Sequence, residues 1–233
     1  MPLHRRLAAA LMAIVLAAPP AYADELPELG DVASSELSLA AEKRIGQQIM
    51  NQIRWREAAY LDDPDVETYL NQLGNRLVAV SDDPGFGFTF FAVADSSINA
   101  FAMPGGYIGV HTGLILAAQS ESELAGVLAH EISHVTQRHI ARQVYQSKKL
   151  SMASMVAMGL ALLAARSSPQ AASAAITGAQ AGAISAQLAY SRDFERESDR
   201  IGFDMLRRAG FDPRGMADFF TRLQQNSRLH ENT

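Results

Sequence analysis

The residues best suited to do chemistry form a His-Glu-Ile-Ser-His run, which begins at His130 and ends at His134. Residues four apart lie on one face of a helix, so the two imidazoles can bind a single metal ion. Glu131 lies one step round the helix, where its carboxylate can reach a water on that metal. The spacing therefore predicts a zinc site, with His130 and His134 as ligands and Glu131 as the general base.

This chemistry requires a helix, and the flanking sequence predicts one. Ser120 and Glu123 form a capping box, in which the serine caps the helix start and the glutamate reaches back. Apolar residues then recur at helical spacing as far as about Arg142. We therefore predict one helix from Ser120 to about Arg142 that carries the whole run.

A catalytic zinc ion has three protein ligands, and the best candidates for the third are carboxylates. The sequence contains no cysteine, which excludes thiolate ligands. In an acidic helix predicted for residues 188–208, Glu195 and Asp199 share a face, whereas Glu197 points elsewhere. One carboxylate can bind the metal while the other orients a ligand imidazole. Taken alone, such a charge run would more often be a solvated, salt-bridged helix face.

The sequence raises two further questions, the role of His139 and the identity of an oxyanion-stabilising group. His139 follows His134 by five positions, which places the two on different faces of one helix, so we expect a structural role for His139. Three side chains are candidates for stabilising an oxyanion, namely Tyr190, Arg192 and His139. Nothing in their spacing selects one of them.

Three segments resemble motifs of a known family. Residues 129–134 (AHEISH) and 191–202 (SRDFERESDRIG) are similar to motifs of the M48 family of zinc metallopeptidases. Residues 99–106 (NAFAMPGG) resemble the strand segment that precedes the zinc helix in that family. The resemblance implies a mainly helical α+β, zincin-like metalloprotease domain over residues 38–233. It also implies a small β-sheet packed on the His-Glu-x-x-His helix and one zinc ion per chain.

The same resemblance implies roles for the downstream acids. The E-x-x-x-D motif of the family falls on Glu195 and Asp199, which implies that Glu195 is the third zinc ligand. It also implies that Asp199 is a catalytic residue, described in such families as a proton donor. A carboxylate close to a dication should stay ionised, so physical reasoning favours Asp199 as the acceptor of a hydrogen bond from a ligand imidazole.

Members of this type usually continue into tetratricopeptide repeats. The sequence shows no signature of that repeat before Thr233. A protease domain standing alone and a shortened form of a longer protein are both consistent with this.

The segments before the zinc helix predict two helices and a small sheet. The first helix is predicted from about Ser38 to Tyr60, and Asp63-Pro64 begins a second one that ends near Val80. Three short strands are predicted at residues 88–94, 100–103 and 107–111, with a turn at Pro104-Gly105-Gly106. We expect a substrate to lie extended along the sheet edge near Asn99 to Met103.

Residues 150–189 form an apolar segment rich in Ala, Met, Leu and Gly, with a break at Arg166 to Pro169. We predict two helices here, which are short for a bilayer and favour a buried hairpin. A surface that contacts a membrane or a client protein is the alternative. After the acidic helix, Gly210 suits a C-terminal cap, and a last helix is predicted from Asp212-Pro213 to about Gln225.

The first 23 residues have the layout of a secretory signal peptide. A basic start is followed by an apolar run, and Ala21-Tyr22-Ala23 is a small-x-small cleavage site, so we predict cleavage after Ala23. Residues 24–37 are predicted to be a flexible lead-in. Export and the lack of cysteine favour the periplasm.

These features predict a periplasmic zinc endopeptidase whose partners are unfolded or misassembled polypeptides. The resemblance implies that it degrades misfolded or stalled outer-membrane proteins and assists their assembly, with the assembly machinery as a further partner. The alternative is a chaperone-like assembly factor whose protease site is normally covered. A net charge of −5 argues against nucleic acid as a partner. Peripheral membrane contact through residues 150–189 is the alternative to the buried hairpin.

Overall fold

The computed structural model describes residues 37–56, 59–83, 85–164 and 169–231. The predicted signal peptide, almost all of the predicted lead-in and most of the predicted break at Arg166 to Pro169 lie outside these residues. Within them the protein is mainly helical, with one small sheet. The predicted α+β fold class is therefore confirmed.

The described residues form seven helices and four strands. The helices are α1 Leu39–Arg56, α2 Pro64–Val78, α3 Thr112–Ala117, α4 Glu121–Thr136, α5 His139–Ala164, α6 Pro169–Arg208 and α7 Arg214–Glu231. The strands are β1 Tyr60–Leu61, β2 Thr89–Val93, β3 Ala100–Met103 and β4 Tyr107–His111. The three predicted strands are present, whereas β1 and α3 were not predicted. The first predicted helix ends at Arg56 instead of Tyr60, and the last extends beyond Gln225 to Glu231.

The sheet has the order β1-β2-β4-β3, which leaves β3 at one edge. β2 and β4 are parallel, and β3 pairs with β4 in an antiparallel hairpin. Gly105 and Gly106 have φ angles of 84° and 86° in the turn of that hairpin, a conformation that favours glycine. β3 and β4 pack on α4, so the predicted contact between the sheet and the His-Glu-x-x-His helix is present.

The predicted helix ends depend on capping residues, and the structure contains these caps. Asp63 accepts hydrogen bonds from two backbone N–H groups at the start of α2. Ser120 Oγ accepts one from the backbone N–H of Glu123 at 3.3 Å, while the Glu123 carboxylate reaches back to the N–H of Gln119. Gly210 has φ 80° after α6. Short-range hydrogen bonds therefore set these boundaries.

The prediction that the zinc helix continues to Arg142 is wrong. α4 ends at Thr136, Arg138 has φ 54°, and a new helix begins at His139. A non-glycine residue at positive φ costs on the order of 1–3 kcal/mol and persists where its surroundings hold it. Arg138 is held from α1, because its Nη2 donates to Oε1 of the buried Glu42 at 2.7 Å. No glycine or proline marks this break, so the local pattern could not reveal it.

Two predictions for the apolar segment are also wrong. α6 is continuous from Pro169 to Arg208, so the predicted acidic helix is the second part of a longer one. The buried hairpin is not observed among the described side chains, since Met152, Val156 and Leu188 are 64%, 65% and 54% exposed. None of the helices in the described ranges has the length and apolar character needed to cross a membrane.

α4 lies at the centre of the fold, in contact with α2, the sheet, α6 and α7. Two glycines let its neighbours come close. A Cβ on Gly126 would lie 2.9 Å from Cα of Met216 on α7, and one on Gly202 of α6 would lie 3.1 Å from the backbone nitrogen of His130. These contacts bring α6 and α7 against the part of α4 that carries the His-Glu-x-x-His run.

Candidate metal centre and active site

His130 and His134 lie one helical turn apart on α4, with their Nε2 atoms 3.0 Å apart. Glu195 of α6 approaches both, with one carboxylate oxygen 3.3 Å from Nε2 of His130 and the other 3.7 Å from Nε2 of His134. Ligand atoms of the three residues all lie within 4.8 Å of one another. Two imidazoles and one carboxylate, without thiolates, are a donor set that fits a catalytic zinc ion with an open position.

The packing of α6 on α4 places Glu195 at this point. Phe194 and Ser198 are 5% and 0% exposed, and they face the core together with Gly202, four residues further on. Because the residues after Phe194 and Ser198 lie next to this buried strip, Glu195 and Asp199 reach the edge of α4. The described part of α6 therefore delivers both carboxylates from one helix face.

Asp199 contacts the ring nitrogen of His130 that does not face Glu195 and His134. Its Oδ1 lies 2.9 Å from Nδ1 of His130. This contact assigns the Nδ1 proton to His130 as a donor to Asp199 and leaves Nε2 as a lone pair toward Glu195 and His134. The arrangement is the one expected for a carboxylate that orients a ligand imidazole.

Glu131 projects from α4 toward β3, where its carboxylate accepts a hydrogen bond from the backbone N–H of Ala102. Burial and, to a lesser degree, the charge of Glu195 raise the pKa of Glu131 to about 8. A cation bound at the donor residues would lower the pKa of Glu131 and favour the ionised carboxylate that a general base needs. Glu131 is therefore held near the sheet edge, beside the place where such a cation would bind.

The pKa of His134 is lowered to about 3 by burial, followed by the neighbouring His130 and His139. At neutral pH the imidazole of His134 is therefore uncharged. Metal binding requires this form, because only a neutral imidazole offers a nitrogen lone pair.

A cavity of about 570 Å³ joins these groups to the strand edge. His130, Glu131, Glu195 and Asp199 line it on one side, and Asn99 and Ala100 border it next to β3. The side chains of Glu195 and Asp199 are 55% and 58% exposed. The candidate site is therefore open to solvent as far as the described residues extend.

Comparison with known families assigns the chain to a class. The sequence model of Peptidase family M48 matches residues 64–231, a range that contains Glu131, Asp199 and all three donor residues. The chain belongs to peptidase family M48. The resemblance to this family in the sequence motifs is thereby confirmed, and the protein is a metallopeptidase by family.

Curated relatives of this M48 peptidase carry protease names. It is 45% identical over 224 residues to the putative beta-barrel assembly-enhancing protease of Vibrio cholerae, which covers 94% of this chain and 46% of the relative. It is 38% identical over 235 residues to the beta-barrel assembly-enhancing protease of Escherichia coli K12, covering 97% and 48%. The mitochondrial metalloendopeptidase OMA1 of Arabidopsis thaliana is 28% identical over 170 residues, covering 72% and 33%. The chain spans about half the length of the first two relatives.

A second hydrogen-bonded group in this M48 peptidase was not predicted from the sequence. Nδ1 of His139 lies 2.9 Å from Nδ1 of His134, and Nε2 of His139 lies 3.0 Å from Oε2 of Glu197. Arg142 donates to the same Glu197 oxygen at 2.7 Å. Burial lowers the pKa of His139, so a neutral ring can donate from Nε2 to Glu197 and accept from His134 at Nδ1. This chain of contacts orients His134 as Asp199 orients His130.

The break at Arg138 creates this second group. His139 starts a new helix instead of continuing α4, and its ring stacks on Phe194 with 4.4 Å between the ring centroids. The structural role expected for His139 agrees with these contacts. Glu197 does point away from the donor group, as predicted, but it points toward His139 and Arg142.

The structure places none of the three oxyanion candidates in the cavity beside Glu131. Tyr190 is 39% exposed and lines a separate, smaller cleft. Arg192 is exposed on α6, and His139 is engaged with His134 and Glu197. The geometry therefore favours none of them for that role.

Proposed function

We propose that this M48 peptidase is a zinc-dependent endopeptidase that hydrolyses peptide bonds in unfolded or misassembled polypeptides. The zinc ligands are His130, His134 and Glu195, with one ion per chain. The observation that carries the proposal is the convergence of these donors beside Glu131, in a cavity that borders the free edge of β3. Zinc bound there supplies Lewis acidity, which polarises a carbonyl and makes water nucleophilic at neutral pH.

Glu131 carries the proton transfers in this proposal. Its carboxylate accepts a proton from the attacking water and then donates that proton to the leaving amine, so no net proton is gained or lost. The N–H of Ala102 fixes one side of the carboxylate during both steps. Asp199 and His139 keep the imidazoles of His130 and His134 in the tautomers that leave Nε2 free.

The edge of β3 provides a binding surface for an extended chain. Asn99 accepts a hydrogen bond from the N–H of His111, so the alternation of an antiparallel pair directs the backbone groups of Phe101 toward β4. The backbone groups of Ala100 and the carbonyl of Ala102 then point to the open edge, whereas the N–H of Ala102 donates to Glu131. A substrate can add a strand there through main-chain hydrogen bonds, which depend little on sequence. Such binding suits substrates that have lost their native structure.

We further propose that the protein is exported to the periplasm and acts there in outer-membrane protein quality control, with the assembly machinery as a partner. The relatives named beta-barrel assembly-enhancing protease support this setting. The exposed apolar residues of α5 and α6, among them Met155 and Ile184, are consistent with peripheral membrane contact through residues 150–189. The alternative of a covered site in a chaperone-like factor is not favoured, because the described residues leave Glu195 and Asp199 exposed.

Zinc content and proteolysis of casein, measured on wild type and Glu131→Gln, test the proposal. Both proteins are expected to hold about one zinc per chain, because Glu131 is not a ligand. Loss of the general base should lower the cleavage rate by about 10²–10⁴-fold. Glu121→Gln is the matched control, since Glu121 lies in the exposed first turn of the same helix and should keep full activity. Wild-type rates in Glu131→Gln would contradict the proposed function.

A further inference from the structure

The catalytic cavity has a second, apolar side that the proposed function does not use. We propose that this side is a subsite that accepts a large apolar side chain, such as leucine, methionine or phenylalanine, from the substrate residue next to the scissile bond. The inference rests on the proposed peptidase function and adds to it the class of bond that is cleaved. The apolar wall is formed by Leu114, Val127, Phe203, Met216, Phe219 and Phe220.

The apolar wall is preformed by the hydrophobic core. Leu114, Met216 and Phe219 are 1%, 5% and 2% exposed, and they pack in the main core cluster. Close-packed side chains of this kind cannot move in to fill the space. Phe203 and Phe220, at 48% and 36% exposure, stand at the rim. A substrate side chain that entered would remove apolar surface from water on both partners, which is favourable.

The wall lies within reach of the groups proposed to act on the peptide bond. Val127 precedes Glu131 by four residues on α4, so the two lie one above the other on the same helix face. The ring of Phe220 lies 6.0 Å from the ring of His130, centroid to centroid. A side chain in contact with this wall therefore belongs to a residue that flanks the scissile bond.

α7 is fixed in position against α4. A Cβ on Gly215 would lie 2.8 Å from the backbone carbon of Ser122, so the two helices touch through their backbones at this end. About two turns further along α7, Arg222 pairs with Glu123, which is 5% exposed. The cavity therefore keeps its width without a ligand, as small-molecule and side-chain sites of about 300–1,000 Å³ usually do.

The charges of the cavity argue against an acidic residue in this subsite. The ionisable side chains besides His130 that line the cavity are acids, namely Glu131, Glu195 and Asp199. A substrate carboxylate would be repelled by these acids and would lose its hydration against the wall. The apolar wall itself offers no carboxylate to pair with a lysine or arginine.

The test maps cleavage sites in unfolded casein by mass spectrometry, with the zinc-loaded full chain. Large apolar residues are expected to be about 10-fold enriched over alanine at one of the two positions that flank the cleaved bond, which is the usual yield of an apolar pocket. Ala217→Leu places a larger side chain into the cavity from an exposed position on α7. This variant should shift the preference to glycine, alanine and serine, with unchanged zinc content.

Thr221→Leu is the matched control, because Thr221 is exposed one turn later on α7 and does not line the cavity. It should keep the wild-type preference. Zinc-dependent cleavage without enrichment at either position, or an unchanged preference in Ala217→Leu, would refute the subsite and leave the peptidase function standing. Absence of cleavage, or equal cleavage by Glu131→Gln, would instead refute the peptidase function.

A binding measurement tests the subsite independently of the rate of cleavage. Zinc-loaded Glu131→Gln is titrated with fluorescent peptides that differ only in one central residue, leucine or alanine. About 10-fold tighter binding of the leucine peptide, lost in Glu131→Gln/Ala217→Leu, is expected from an apolar pocket. Equal affinity for the two peptides would overturn the inference whatever the catalytic rate.

Discussion

The two parts of α6 differ in chemistry and in burial, and the relation is the reverse of the usual one. In the first part, the apolar Ile184 and Leu188 are 61% and 54% exposed. The second part is highly charged from Arg192 to Arg200, yet it packs on α4 and carries the candidate site residues. The composition of a helix therefore does not decide which part of it is buried.

The difference is explained by spacing and size. Phe194, Ser198 and Gly202 recur every four residues and form a narrow strip, of which the middle and last members are small. A narrow strip needs only one residue in four to be apolar or small, so the other three can carry charge. The first part has small residues too, but a Cβ on Gly178 or Gly182 would meet nothing within 4 Å. Neither glycine is a point of close approach between helices.

The comparison is tested most strongly by deleting one large side chain from each part. Phe194→Ala should lower the free energy of unfolding by about 3–5 kcal/mol, because it removes a buried ring and leaves a cavity. Ile184→Ala should change it by less than about 0.5 kcal/mol, as expected for an exposed side chain. Urea unfolding of both variants measures the difference. Similar losses in the two variants would show that the two parts are equally buried.

Replacing one glycine in each part of α6 with valine is expected to have the next largest effect. Gly202→Val should cost about 1–3 kcal/mol by overpacking against the backbone of Ala129 and His130. It should also weaken zinc binding, since α6 would move Glu195 away from the histidines. Gly182→Val has open space and should be neutral or stabilising, because glycine is about 1 kcal/mol less favourable than alanine in helices. Thermal unfolding and zinc titration provide the two measurements, and unchanged zinc affinity in Gly202→Val would contradict the expected displacement.

The smallest effect is expected from neutralising one acidic side chain of α6 that is partly buried, Glu197, and one that is exposed, Asp193. Burial raises the pKa of Glu197, but hydrogen bonds from Arg142 and His139 together hold it below its ordinary value of 4.5. A folded-state pKa below the unfolded value stabilises the protein above about pH 4.5 and loses this contribution as the pH falls through the folded value. Glu197→Gln should therefore lose on the order of 1 kcal/mol at pH 7 and show a flatter loss of stability in acid.

The control for this variant is Asp193→Asn, on the same helix. Asp193 has a side chain that is 66% exposed and pairs with Arg196. Exposed ion pairs of this kind contribute little to the free energy of unfolding. The stability of Asp193→Asn should therefore keep the wild-type dependence on pH. Chemical unfolding at pH 7 and at pH 4 compares the two. A wild-type acid profile in Glu197→Gln would show that Glu197 makes no such contribution.

Features that depend on neighbours in the sequence were predicted well. The caps at Asp63, Ser120 and Gly210 and the turn at Gly105 and Gly106 are present, because each requires a particular side chain or glycine at one position. The strands after the first two helices were also predicted, since aromatic and β-branched residues bounded by turn residues favour extended backbone. Helix geometry alone did not choose between Glu195 and Asp199 as the third donor. Glu195 was predicted from the E-x-x-x-D motif of the family.

Features that depend on distant residues were missed. The end of α4 is held by Glu42, which precedes Arg138 by 96 residues in the sequence. β1 is only two residues long and exists because it pairs with β2. The apolar wall of the cavity includes Phe219 and Phe220 of α7, and nothing in their spacing indicates that they lie beside His130.

The sequence by itself determined which groups can do the chemistry, because the helical repeat fixes how His130, Glu131 and His134 are spaced around α4. It also determined where most elements begin, because caps and turns are short-range interactions. Tertiary structure alone decided how α6 approaches α4, and hence that Glu195 faces the histidines while Glu197 meets His139. It also decided that the charged part of α6, and not its apolar part, packs on α4. Close approach at Gly202 and the strain held at Arg138 arise only when distant segments pack together, so no local pattern encodes them.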